Sequence, residues 1–208
     1  MARADLPIAA VIAAAGRSTR MGELKQLLPW HDTTVLGAVV ANLDAAGAAP
    51  VVCVVGHRQA EVEAALRGSP AILVYNPDYL QGEMLSSFQA GIRHLSGASQ
   101  AEQRYLGALL ALGDQPHIPI SVIAQVIEQA RRTPQALVIP SHAMRRGHPF
   151  YLPVAHWPEL LALSLDDTLR TLVRRHEQSI VYVTVETDAI LRDMDTPGDY
   201  AGLRAPGP

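Results

Sequence analysis

The run IAAVIAAAGRSTRMGELK, residues 8–25, decides the fold. Its first half is short and continuously apolar, the pattern of a strand covered on both faces. Its second half carries Gly16, Gly22, Arg17, Arg20 and Lys25, the single lysine of a chain that otherwise holds sixteen arginines. Glycine lets a backbone bend sharply and approach a ligand closely, and amides exposed in such a bend can cradle phosphate oxygens. Three cations this close repel one another unless an anion or a carboxylate shares the space. Arginine offers a planar fork, lysine a compact charge on a flexible stem, so a charge that must follow a moving phosphate calls for lysine. The loop is neither a Walker A motif, because Glu23 and Leu24 separate the second glycine from the lysine, nor a G-x-G-x-x-G fingerprint.

Working outward, the alternation of apolar run and amphipathic stretch repeats. Residues 8–16, 51–56, 71–76, 106–114, 136–140 and 180–185 read as strands. Residues 33–47, 58–68, 84–95, 119–132 and 166–177 show helical spacing, with Thr33 and Asp166 as capping candidates and Pro119 in a first turn. This order predicts an α/β fold, a mainly parallel sheet flanked by helices and forming one domain over residues 1–208. Ligands of such sheets bind at the carboxyl ends of the strands, near the topological switch point. No repeat or linker is visible, and only 97–104 and 202–208 read as loose segments.

Composition narrows the function classes. The chain of 208 residues is 49% hydrophobic and 18% charged, which argues against disorder. A net charge of −3 argues against a nucleic-acid partner, and no apolar run approaches the roughly 20 residues of a membrane span. The N-terminal LPIAAVIAAAG could mimic a leader, but Arg3 is offset by Asp5 and the following loop needs the run as a strand. Cys53, alone in VVCVV, reads as a buried small hydrophobe, and a chain with no internal disulfide suits the cytoplasm.

Four further stretches fall at or near strand ends. NPDYLQGEMLSSFQAG (76–91) offers Gly82 for a close backbone approach and Ser86 and Ser87 at a helix start. LLALGDQPHI (109–118) ends an apolar strand on Asp114, where a carboxylate can hold Mg²⁺ against phosphate oxygens or simply make a turn before Pro116. RRGHPFYLP (145–153) presents Gly147 and His148, and LRDMDTPGDY (191–200) presents Asp193 and Asp195 ahead of Thr196-Pro197. The other seven histidines lack metal-ligand spacing and receive no role.

The stretch AAAGRSTRMGELKQLLP (13–29) resembles the A-A-G-x-S-x-R-M-G-x-x-K signature of nucleotidyltransferases that activate small acceptors with a nucleoside triphosphate, above all the molybdenum cofactor nucleotidyltransferases of the cytidylyltransferase type. The four stretches above extend the resemblance to about residue 200. It implies a Rossmann-like nucleotidyltransferase fold whose loop, through Ala14, Ala15, Gly16, Arg17, Ser18, Gly22 and Lys25, wraps the triphosphate, with Arg20 and Lys25 catalytic. It assigns Gly82, Ser86 and Ser87 to the base and ribose, although Glu83 and Leu85 stand where the family reads G-M-S-S-S. It makes Asp114 and Asp195 the Mg²⁺ ligands, with Asp193 a weaker candidate, sets His148 in the acceptor pocket, and brings Asp167 and Arg170 near it. The implied reaction moves CMP from CTP to molybdopterin and releases pyrophosphate, with a molybdoenzyme receiving the product. A sugar phosphate or another small phosphorylated acceptor is the alternative within enzymes. A non-catalytic nucleotide- or cofactor-delivery protein is the alternative outside them, and it would need the glycine loop but not two metal carboxylates.

Overall fold

A computed structural model describes residues 6–18, 21–81, 83–97 and 104–204. Arg20, Gly82 and most of the two segments read as loose lie outside the described residues. At the centre is an eight-stranded sheet built from β1 (Ile8–Ala13), β4 (Val51–Val55), β5 (Ala71–Tyr75), β6 (Gly107–Leu112), β7 (Leu137–His142), β8 (Arg145–Arg146), β9 (Phe150–Pro153) and β10 (Ile180–Thr184), while β2 (Pro29–Trp30) and β3 (Thr33–Thr34) form a separate hairpin. The order is β10-β7-β9-β6-β1-β4-β5, with β8 paired to β7. All six strands read from the sequence are present and run parallel where they pair with one another. β9 was not anticipated and lies antiparallel to β6 and β7. Pro149 and Pro153 bracket its apolar core, and proline reads against a strand interior.

Seven helices are seen among the described residues: α1 (Val35–Ala45), α2 (Gln59–Ala65), α3 (Glu83–Ser96), α4 (Ile120–Arg132), α5 (Trp157–Ala162), α6 (Leu169–Arg175) and α7 (Pro197–Arg204). Alternate residues of β1 feed opposite layers, as the two-residue period of a strand requires. Ile8, Ala10 and Ile12 meet Leu36, Val39 and Leu43 of α1 and Val122 and Val126 of α4. Ala9 and Val11 meet Phe88 and Ile92 of α3, Trp157 and Leu160 of α5 and Leu172 of α6. Gly91 lets α3 lie flat on the sheet, since a Cβ there would come within 2.3 Å of Val11 Cγ1. Cys53 is fully buried in β4, and burial pushes its thiol pKa up to about 12. Among the described residues no helix is long and apolar enough to cross a membrane.

Three helix starts differ from the sequence reading, and the smallest shift is at Pro119, which stands at the N-cap of α4 rather than in its first turn. Thr34, not Thr33, caps α1, its hydroxyl accepting from Gly37 N at 3.1 Å, because Thr33 is spent on pairing with Trp30 in the hairpin. Asp166 does not cap α6, which begins after Thr168. The carboxylate of Asp167 instead accepts from Ser164 N at 3.1 Å, a local turn that competes with the helix for these backbone groups.

A third apolar cluster joins the ends of the chain. Trp30 and Val35 near the hairpin pack with Met194, and Tyr200 and Leu203 of α7 close over them. Tyr200 Oη donates to Pro29 O. This packing carries residues 194–196 onto the mouth of the first loop.

Candidate active site

The sheet order turns at β1 and β6, so the loops after these strands open side by side at their carboxyl ends, where a parallel sheet binds ligands. The first residues of the β1 loop still belong to the sheet: Ala14 N donates to Val54 O at 3.0 Å and Gly113 N donates to Ala13 O at 3.0 Å. Ala14 and Ala15 are buried against two glycines, and a Cβ on Gly113 or Gly56 would stand 2.9 Å from the Cβ of Ala14 or Ala15 respectively. These alanines therefore shape the loop through packing. Beyond them the backbone emerges. Gly16 and Arg17 are exposed, and a Cβ on Gly16 would come within 4 Å of nothing among the described residues, so no contact among them demands glycine there.

Ser18 closes the loop. Its backbone is left-handed at φ 51°, its hydroxyl donates to Gln26 Oε1 at 3.1 Å, and the same hydroxyl accepts from Lys25 N at 3.1 Å. Buried Gln26 in turn donates to Ala14 O at 3.4 Å. Gly22 supplies a second left-handed residue at φ 74°. The result is a bracket that turns the Lys25 side chain inward.

Lys25 Nζ lies 2.5 Å from Asp114 Oδ2 and 3.1 Å from Asp195 Oδ1, and donates to Met194 O at 3.2 Å. Burial of this amine works against its charge, but the two carboxylates outweigh burial and raise its pKa above the ordinary lysine value. Asp114 is placed by the end of β6. Asp195 is placed by the cap of α7: Asp199 Oδ2 accepts from Asp195 N at 3.2 Å and Thr196 N at 2.8 Å, while Thr196 Oγ1 accepts from Asp199 N at 3.2 Å. Thr196 and Asp199 do the capping, which leaves the Asp195 side chain to Lys25. Two carboxylates already sharing one cation are a hard-oxygen donor set that fits a divalent ion of the magnesium or manganese type.

The remaining candidates divide. His148 is half-buried beside this cleft. Its Nδ1 lies 3.2 Å from Leu110 O, and burial holds its pKa below the usual imidazole value against the pull of Asp114 and Asp193. The close approach permitted by Gly147 is to the backbone of Ile190, where a Cβ would fall 2.4 Å from the carbonyl oxygen. Ser86 and Ser87 are buried, and both accept from Asn76 Nδ2, at 2.8 and 3.3 Å. They fix the 76–78 turn to α3. Asp167 is tied to its own turn, Arg170 and Asp193 are exposed, and Glu83 begins α3.

Four side chains that organise the site received no role from the sequence: Gln26, Asn76, His117 and Gln115. Gln26 and Asn76 are described above. His117 sets Nε2 3.1 Å from Ala189 O and Gln115 Nε2 donates to Arg192 O at 3.4 Å, and together they tie the Asp114 loop to the 188–192 turn. Gln26 was within reach, standing directly after the lysine in the decisive run.

Comparison with known proteins places these observations. Residues 10–180 match the family described as the MobA-like NTP transferase domain. The chain is 27% identical over 191 residues to the molybdenum cofactor cytidylyltransferase of Escherichia coli, covering 91% of this chain and 92% of that protein. A nucleotidyl transferase from Methanothermobacter superposes with a TM-score of 0.79 at 26% identity, over 95% of this chain and 96% of the other. Rv0371c of Mycobacterium tuberculosis, in a complex with manganese, superposes with a TM-score of 0.73 at 28% identity, over 95% of this chain and 97% of the other.

Proposed function

The chain belongs to the MobA-like NTP transferase family, and from that premise we propose that it transfers CMP from CTP to the phosphate of molybdopterin, acting as one domain over residues 1–208. The observation that carries this reading is the meeting of Lys25, Asp114 and Asp195, residues remote in sequence, at the mouth of a glycine loop. The similarity to a molybdenum cofactor cytidylyltransferase along almost the whole chain supports the choice of base and acceptor.

Each residue has a task in this reaction. Arg17 and Arg20 receive the β- and γ-phosphates beside the amides of Gly16 and Ser18. Lys25 leaves the carboxylates and follows the departing pyrophosphate, which a flexible point charge does and a planar fork does not. Base and ribose are assigned to Gly82, Ser86 and Ser87, and the two serines serve them by holding the 76–78 turn through Asn76. His148, kept neutral by burial, faces the acceptor side. Asp114 and Asp195 would hold a divalent ion, Mg²⁺ or Mn²⁺, which when bound neutralises charge on the α-phosphate. An oxygen of the acceptor phosphate attacks the α-phosphorus, the new P–O bond forms as the α–β bridging P–O bond breaks, and pyrophosphate leaves with the electron pair. An anionic acceptor has no proton to lose, so no general base is needed. The nucleotide product would pass to a molybdoenzyme. A single buried cysteine in place of disulfides suits a reducing compartment such as the cytoplasm.

Pyrophosphate release from CTP, GTP, ATP or UTP, each with Mg²⁺ and either molybdopterin or a panel of sugar phosphates, tests the reading. Release with CTP and molybdopterin together is the expected result. Release with a sugar phosphate alone transfers the assignment to that acceptor, and nucleotide binding without release under any pairing makes the protein a carrier.

A further inference from the structure

At the opposite end of the parallel strands lies a second group of donors. β9 ends at Pro153, which pairs with Gly107, the first residue of β6, and β10 begins at Ile180, which pairs with Leu137, the first residue of β7. His156, three residues after Pro153, and His176, four residues before Ile180, therefore sit near the amino ends of the parallel strands. The six residues of β6 separate them from Asp114 by about 20 Å at about 3.3 Å per residue.

His156 closes the short turn Val154–His156, Glu159 lies in the first turn of α5, and His176 follows the last residue of α6. One donor atom from each of the three falls within 4.8 Å of the others. The two imidazole rings lie 4.0 Å apart, centroid to centroid, and His176 Nε2 is 2.5 Å from Glu159 Oε2. Arg175 donates to the other carboxylate oxygen of Glu159 at 3.1 Å, which fixes its orientation. The supports are rigid: Trp157, Leu160 and Leu172 are fully buried in the core beneath α5 and α6. We propose that His156, Glu159 and His176 bind a single zinc-class divalent ion that clasps α5 to the end of α6.

The chemistry of the donors favours such an ion over magnesium. Two imidazoles and one carboxylate, half-buried, leave a fourth position for water, the arrangement zinc accepts. Metal–ligand bonds of about 2.0–2.2 Å at tetrahedral angles set donors about 3.4 Å apart, so the His176–Glu159 pair at 2.5 Å opens to admit the ion while the donors within 4.8 Å of one another gather around it. The site is independent of the transferase reading, since it shares no residue with the cleft.

The test uses the full chain, freed of metal by chelator dialysis and titrated with Zn²⁺ against a chromophoric chelator, and separately with Co²⁺ followed by visible absorption. One equivalent of zinc should bind, together with the intense visible bands of tetrahedral cobalt. His176→Gln and Glu159→Gln should each weaken zinc binding at least tenfold and erase the cobalt bands, while Asp114→Asn leaves both intact. Metal-free melting temperatures close to that of the parent show that the variants fold. Absence of stoichiometric zinc binding, binding that survives His176→Gln, or binding lost in Asp114→Asn overturns the proposal.

Discussion

Lys25 and a divalent ion compete for the same two carboxylates, so removing the lysine should tighten metal binding while it slows catalysis. The size of the effect follows from the geometry. Lys25 Nζ makes two charged contacts, at 2.5 Å to Asp114 and 3.1 Å to Asp195. A hydrogen bond involving charged groups nets about 1.5–3 kcal/mol. The acid side chains are 21% and 32% exposed, and solvent screening discounts both contacts. Together they come to about 2 kcal/mol, or about thirtyfold in the affinity of an ion that must displace the ammonium. In Lys25→Met the carboxylates are left as neighbouring like charges, which adds to the attraction for a cation. Free Mn²⁺ followed by electron paramagnetic resonance, without nucleotide and at constant ionic strength, measures the constant directly. The Mn²⁺ dissociation constant should fall about thirtyfold in Lys25→Met while pyrophosphate release with CTP and acceptor drops. Mn²⁺ binding that stays the same or weakens in that variant would refute the shared-carboxylate reasoning.

Asp114→Ala should abolish pyrophosphate release while circular dichroism and the melting temperature stay near those of the parent, because the side chain lies at the cleft rather than in the core; retained turnover would remove Asp114 from the reaction. Gly91→Ala drives a Cβ to 2.3 Å from Val11 Cγ1; it should cost about 1–3 kcal/mol in chemical denaturation, whereas Gly16→Ala, within 4 Å of nothing among the described residues, should leave stability unchanged and weaken nucleotide binding. His148 and His117 both have pKa values held below the free-imidazole value of 6.5, by burial first. The unfolded chain takes up protons near pH 6.5 and the folded chain resists them, so stability should be full above that pH and decline as the pH falls below it. Urea midpoints between pH 5 and 8 check this, and His148→Gln should flatten the decline.

The parallel strands were legible because their apolar runs are continuous and punctuated by helical spacing, and the decisive loop was legible because glycines and cations crowd one strand end. β9 was not, since prolines at both ends mask a buried strand whose register comes only from β6 and β7. Asp114 and Asp195 could be singled out as acids at loop starts. The resemblance implied that they share one ion; that they meet on Lys25 could not be read from the residues, because it depends on α7 packing against the β2–β3 hairpin. Likewise His156 and His176 stand twenty positions apart with no motif between them, and only the packing of α5 against α6 brings their rings side by side. Ser86 and Ser87 illustrate the converse: the residue types suggested hydroxyls offered to a ligand, whereas their oxygens are engaged by Asn76.

The hydrogen bond between Lys25 and Asp195 spans 170 positions. A growing polypeptide can build the sheet and most of its helices and still lack half of the acidic pair until the closing helix docks on the first hairpin. Assembly of the Lys25–Asp114–Asp195 cluster thus waits on the docking of residues 194–203, and a chain cut before them would keep the sheet but leave Lys25 and Asp114 without Asp195.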